Sequence, residues 1–162
     1  MAVNYFLKLP NVEGESMMKG FDKQIEIFSW SFGASNASGV EYGSGSGKGN
    51  VQFGDFSCMI NLDKSSPKLL NGVCEGKHYA TATFAGVKSG AKQEKPYLKF
   101  TFDELFVTGF QVSGSGGAGD SPMVSLSFTF AKIKYEYGTQ DKEGNVTAAG
   151  ETTFDLKTRE LA

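Results

Sequence analysis

Hydrophobic and polar side chains alternate along most of this chain. Val3, Tyr5, Leu7 and Leu9 fall on one face of an N-terminal segment, and Phe154 and Leu156 alternate with Thr153, Asp155 and Lys157 near the C-terminus. Between them, Leu98, Phe100, Phe102, Phe106 and Phe110 share a face that is interrupted at Glu104 and Thr108. Val124, Leu126, Phe128 and Phe130 form another, with Ser125, Ser127 and Thr129 opposite. A period of two is the spacing of a half-buried strand, and numerous strands joined by Gly-rich turns argue a β-barrel or sandwich. Two segments change face part-way. From Ile25 to Phe32 the apolar set begins odd (Ile25, Ile27) and becomes even (Phe28, Trp30, Phe32), while from Val124 to Tyr137 it begins even and becomes odd (Ile133, Tyr135, Tyr137). A one-residue slip carries every side chain to the other face, so each segment either bulges or has one end covered on a second face, which would imply a partner surface. The alternation of Phe28, Trp30 and Phe32 assigns these three aromatics to the core as its anchors and turns Ser29 and Ser31 to the opposite side.

One segment leaves the two-residue rhythm. Ser66-Pro67 suits an N-cap followed by proline at the first helical position, Leu69, Leu70, Val73 and Cys74 follow at helical spacing, and Gly76 is placed to end the helix. The reading is therefore a mainly β protein: a small antiparallel β-barrel of two packed sheets with one short flanking α-helix at about 66–75. Residues 1–162 form a single domain on this reading. Glycine-rich stretches at 43–49 and 114–119 and a polar stretch at 138–150 connect strands.

Composition narrows the function. The chain has 14 Phe and 21 Gly, which fits an aromatic-filled interior punctuated by turns, and 16 basic against 18 acidic residues. A net charge of −2 lacks the concentrated basic excess that nucleic acid requires. No apolar run exceeds three residues, so membrane insertion is not expected. The start Met1-Ala2-Val3-Asn4-Tyr5 has neither the basic region nor the apolar stretch of a secretory signal. The protein is expected to stay in the cytoplasm or to leave by a route that reads no cleavable signal.

Several arrangements resemble chemistry and fail on context. Gly114, Gly116 and Gly119 match G-x-G-x-x-G, but Asp120-Ser121-Pro122 and a strand follow where a phosphate-binding helix should begin. Gly47-Lys48 suggests a P-loop, yet Tyr42 and Gly49 occupy positions that need Gly and Ser or Thr. Asn36-Ala37-Ser38 and Asn145-Val146-Thr147 match the glycosylation sequon and indicate only surface loops outside the secretory pathway. Asp103 and Glu104 are strand neighbours on opposite faces rather than an acid/base pair. Cys58 and Cys74 read as small buried apolar residues, and with His78 they offer too few ligands for a metal. His78 itself reads as an ordinary cation near a helix end. No catalytic, cofactor-binding or metal residue is expected, and no enzyme.

A set of separated segments carries a family resemblance. Met1-Ala2-Val3, Gly14-Glu15-Ser16, Ile25-Glu26-Ile27-Phe28-Ser29-Trp30-Ser31-Phe32-Gly33, Asp63-Lys64-Ser65-Ser66-Pro67-Lys68-Leu69, Gly76-Lys77-His78-Tyr79, and Val124-Ser125-Leu126-Ser127-Phe128 leading to Tyr135 occur in order. Together they closely resemble the hemolysin-coregulated protein family, the tube subunit of bacterial type VI secretion. Loops near 36–48, 88–95 and 138–150 depart from its pattern. The resemblance implies a homohexameric ring of β-barrel subunits with no enzymatic activity, stacked into a tube inside a contractile sheath. A spike protein tips that tube, which is assembled in the cytoplasm and exported without a signal peptide, and small effector proteins can occupy the ring lumen. On this resemblance and the strand alternation, Ser29 and Ser31 are candidates for the lumen wall, a smooth hydroxyl surface without anchoring aromatics or fixed charges; the plainer reading is a solvated face. Gly39, Val40, Glu41, Tyr42, Gly43, Gly45, Gly47 and Lys48 are candidates for contact between stacked rings or neighbouring subunits; the alternative is a hairpin tip with no contacts in the isolated ring. The competing function is a small-ligand-binding β-barrel, which would need an enclosed apolar cavity where 14 Phe suggest a filled one.

Overall fold

A computed structural model describes residues 2–36, 51–89, 95–117, 119 and 121–161. In chain order its elements are β1 (Val3–Lys8), β2 (Ile25–Ser31), β3 (Ala34–Asn36), β4 (Val51–Phe53), β5 (Phe56–Asn61), α1 (Ser66–Glu75), β6 (His78–Lys88), β7 (Leu98–Ser113), β8 (Met123–Thr129), β9 (Lys132–Gln140), β10 (Val146–Asp155) and β11 (Glu160–Leu161). The main sheet runs β11-β10-β9-β7-β6-β1-β2-β5-β8, and a further β7–β8 pairing closes six of its strands into a barrel. Strands β9, β10 and β11 extend outward from β7, and β3 and β4 form a separate small hairpin sheet. The fold is mainly β with one short helix, as the alternation implies.

The barrel interior is filled by aromatic rings. Phe56, Phe84, Phe100, Phe102 and Phe128 are buried almost completely, and their rings meet in stacked, tilted and edge-on pairs 4.9–5.9 Å apart. These are the preferred geometries of aromatic quadrupoles. The filling leaves side chains, rather than an enclosed ligand chamber, at the barrel centre.

The face changes have distinct causes. In β2 the pairing with β5 shifts between Ile27 and Ser29, so this strand carries a bulge. The bulge corrects one assignment: Phe28 is 70% exposed and is no core anchor, because the extra residue turns both Phe28 and Ser29 outward before alternation resumes at Trp30. Trp30 and Phe32 are half-buried and pack against the main cluster. The segment from Val124 to Tyr137 is two strands, β8 and β9, both antiparallel to β7 and broken at Phe130-Ala131. Opposite the break, Glu104 adopts a left-handed φ of 53°, so β7 changes face at the same level. The inward pairs Phe102–Ile133 and Val107–Phe128 thereby stay matched on either side of it. Consequently Leu105 and Val107 are buried, and Phe106 turns outward to meet His78 edge-on at 5.0 Å. Lys157 pairs with Glu104 and the Leu156 N–H donates to the Ala131 carbonyl at 2.8 Å, which ties the C-terminal segment to this kink.

Helix α1 has Ser65 as its N-cap, one residue before the expected Ser66, and Pro67 lies in its first turn. Gly76 closes it with a left-handed φ of 63°, and the Lys77 N–H donates to the Gly72 carbonyl at 2.9 Å. Leu69 and Gly72 are buried against the barrel, whereas Cys74 is exposed, contrary to expectation. At about 100° per residue, Cys74 lies about 140° around the helix from Leu69 and cannot share its face.

A second small core lies outside the barrel. Phe6 points away from the interior and stacks on Phe21 at 4.8 Å, joined by Ala85, Val87 and Met18. The loop before β2 folds over it, with the Gly14 N–H donating to the Lys23 carbonyl at 2.8 Å and the Lys23 N–H to the Ser16 carbonyl at 2.8 Å.

Candidate functional site

The outer surface of the barrel divides into two faces of opposite character. On one, register aligns Lys8, Thr83, Thr101, Lys134 and Thr153 across five strands, and beside them Ala85, Lys99, Glu136 and Glu151. Lys134 lies 3.5 Å from Glu136 and 3.6 Å from Glu151, and these carboxylates push its pKa up. Apart from Ala85, which the loop before β2 covers, this is a charge-laced surface.

The other face, formed by β2, β5, β8 and the end of β7, is built from hydroxyls. Ser31 pairs with Ser57, Ser57 with Ser127, and Ser127 with Gly109. The next row is Ser29, Met59, Ser125 and Gln111, and the row beyond is Asn61, Met123 and Ser113, with Phe28 beside it. Ser29, Ser31 and Ser125 are exposed, and Ser57 and Ser127 half-buried. The one charged residue at these rows is Glu26, which the register sets opposite Asn61, beside Phe28. Asp55 stands at one end, where it accepts a hydrogen bond from Thr108 Oγ1 at 2.7 Å, and Thr108 Oγ1 lies 3.2 Å from Ser127 Oγ. Across three rows the wall measures about 14 Å along its strands, at about 3.4 Å per residue. Such a surface offers short, weak, exchangeable hydrogen bonds and little fixed field.

Ser29 and Ser31 thus lie together on one exposed face. Ser57, Thr108, Asp55, Gln111 and the two methionines of this face were not singled out from the sequence, although Ser125 and Ser127 were legible as a polar face. The expectation of a wall free of aromatics and charges is corrected, since Phe28 and Glu26 stand at one end and Asp55 at the other. The loop candidates Gly39, Val40, Glu41, Tyr42, Gly43, Gly45, Gly47 and Lys48 lie outside the described residues. Among the described residues, no group of three or more His, Cys, Asp or Glu side chains could hold a metal ion, and no helix is long and apolar enough to cross a membrane.

The two thiols differ sharply. Cys58 faces the interior from β5, and burial pushes its pKa from 9.0 up to about 12. Iodoacetamide is therefore expected to alkylate Cys74 in the native protein and Cys58 only after unfolding, as read by mass spectrometry. The same burial makes stability pH-dependent. Below 9.0 the thiol is neutral in both folded and unfolded states and its contribution is whole; as pH rises towards about 12 only the unfolded chain ionises. Stability from this group should then fall by roughly 1.4 kcal/mol per pH unit across that window.

The fold and this wall define a small, aromatic-filled β-barrel protein with one hydroxyl-rich outer face. The sequence profile of the family described as "Type VI secretion system effector, Hcp" matches residues 6–137, and the chain belongs to this family. Protein hcp1 of Pseudomonas aeruginosa is 34% identical over 144 residues, covering 89% of this chain and 88% of its own. A solved structure described as a type six secretion system protein superposes with a TM-score of 0.92 at 25% identity, covering 99% of this chain and all of that one. Hcp1 from Salmonella typhimurium gives a TM-score of 0.80 at 27% identity over the full length of both chains.

Proposed function

We propose that this protein is the structural tube subunit of its secretion system, residues 1–162 acting as one tube-forming unit without enzymatic activity. Six copies close into a ring, rings stack into the inner tube within a contractile sheath, and the tube is exported behind a spike protein. The serine face lines the lumen, with Ser29 and Ser31 among its contact residues, and small effector proteins pass through or are held there.

The single observation that carries this reading is the two-faced barrel: a hydroxyl wall with charges only at its ends, set apart from a charge-laced face. A lumen through which folded cargo must slide needs many weak contacts and few fixed charges, since a buried charge pair would hold rather than release. Ring closure needs a heterologous interface, one patch on each subunit meeting a different patch on the next. Strand borders such as β11 present unpaired backbone groups suited to such a contact. The segment bearing Gly39 to Lys48 is proposed to join neighbouring subunits or stacked rings.

Negative-stain images of the purified protein are expected to show rings with a central hole, and its particle mass should be roughly six times that of the monomer. A strict monomer at high concentration would sink the proposal. Ser31→Gln should leave the ring intact while lowering retention of a small co-expressed effector in pull-down, because a long amide narrows the wall without touching the core. Collapse of the ring in this variant would place Ser31 in packing rather than on the wall.

A further inference from the structure

We infer that the end of the serine wall formed by Phe28, Met59 and Met123 is a docking spot for exposed apolar side chains of a small client protein. The inference rests on the reading of this wall as cargo-facing. Phe28 sits on the β2 bulge with 70% of its surface in water, and Met59 beside it is 39% exposed. Together with Asn61, Ser113, Ser121 and Met123 they line a shallow groove of about 600 Å³. Among the described residues none of the side chains lining this groove is charged, and Glu26 stands on the other side of Phe28. A partner is therefore selected by apolar contact rather than by complementary charge.

The area decides which kind of partner fits. A Phe side chain carries on the order of 150–250 Å² of contact surface, so this three-residue spot amounts to a few hundred Å². A stable interface between copies of a protein buries about 800 Å² on each partner. The spot is too small to hold two subunits together by itself and large enough for a reversible grip. Its composition points the same way. Methionine is unbranched and polarizable and repacks against differently shaped surfaces, as sites that accept more than one partner require. The three rows of the wall thus run from the hydrogen-bonded Asp55–Thr108–Ser127 end, through hydroxyls, to an apolar end. A client would be anchored at the apolar end and otherwise touch only weak hydrogen-bonding groups.

The test uses the full-length protein and a fluorescein-labelled amphipathic helical peptide with a Leu/Phe face, alongside its counterpart in which those residues are Ser. Binding is followed by fluorescence anisotropy at low and high salt, with particle mass measured on the same samples. The Leu/Phe peptide should bind with little salt dependence and the Ser counterpart should not. Phe28→Ser should weaken binding about tenfold, as loss of a small hot spot does. Phe28→Leu should stay within about threefold, as a swap that keeps apolar volume does. Wild-type binding by Phe28→Ser overturns the inference. So does a Phe28→Ser protein that falls to monomer mass while Phe28→Leu assembles, for Phe28 would then be a subunit contact. A wild-type protein that is itself monomeric defeats the ring reading instead, and the Phe28 dependence of peptide binding is still read on that monomer.

Discussion

Phe56→Ala is expected to destabilise the subunit by about 3–5 kcal/mol, the cost of emptying a fully buried aromatic site. That is a large share of the roughly 5–15 kcal/mol that holds an ordinary domain together. Phe56 has no exposed surface and lies at the crossing of the interior rings: 4.9 Å from Phe128, 5.2 Å from Phe84, 5.4 Å from Phe102, 5.7 Å from Phe100 and 5.8 Å from Trp30. These residues come from β2, β6, β7 and β8, so one truncation loosens packing on most of the barrel circumference. The surrounding rings are stiff and cannot collapse into the void, which places the cost in the upper part of the range for such substitutions. Trp30→Ala should cost less, because Trp30 already keeps part of its surface in water. Urea unfolding at one fixed protein concentration measures both variants, since any assembly adds stability by mass action. Alkylation of Cys58 gives an independent readout of opening. An unchanged midpoint for Phe56→Ala would mean that the ring cluster is not the load carried by the core.

How much of this was legible beforehand depends on the range of the interactions involved. The helix was readable to within a residue because its signals are local: Pro67 opens it and Gly76 closes it within ten residues. The strands were readable from alternation, and the face change in Ile25–Phe32 was readable as either a bulge or a second covered face, of which the structure shows the bulge. The position of the bulge was not. A slip tells only that parity changes, and placing it one residue earlier would have put Phe28 inside; the pairing of Ser29 with Met59 puts it outside. The interruption at Phe130-Ala131 was hidden for a related reason. It is compensated by Glu104, 26 positions earlier, and neither segment alone shows that the two kinks face each other. Phe6 was missed because alternation assigned its face to solvent, and the residue that covers it, Phe21, belongs to an irregular loop with no period to read. Of the candidate wall, the hydroxyl alternation in β2 and β8 was visible, but that Ser31 and Ser127 share one row through Ser57 is a fact of strand order. Cysteine burial divided the same way: Cys58 follows strand parity, while Cys74 depended on an angle around a helix.

Gly14→Ala is expected to act in the opposite manner to Phe56→Ala, breaking one region while leaving the barrel closed. An added Cβ at this position would come within 2.6 Å of the Gln24 carbonyl carbon and of the Ile25 Cα. Those neighbours are backbone at the entrance to β2, so no side-chain rotation relieves the contact. The loop before β2 must lift, which sacrifices the Gly14–Lys23 and Ser16–Gln24 hydrogen bonds and uncovers Phe6 and Val87 beneath Phe21. Forcing a methyl group into a filled site typically costs about 1–3 kcal/mol, and a backbone obstacle puts this case at or above the top of that range. Because the loop packs on the outside of β1 and β6, local opening should precede global unfolding. Hydrogen exchange should accelerate for residues 14–24 and stay near the wild-type rate in β5 and β8. Binding of a dye that reports apolar surface should rise at the same time. Uniform acceleration across the barrel would show instead that the loop and the aromatic interior unfold as one unit.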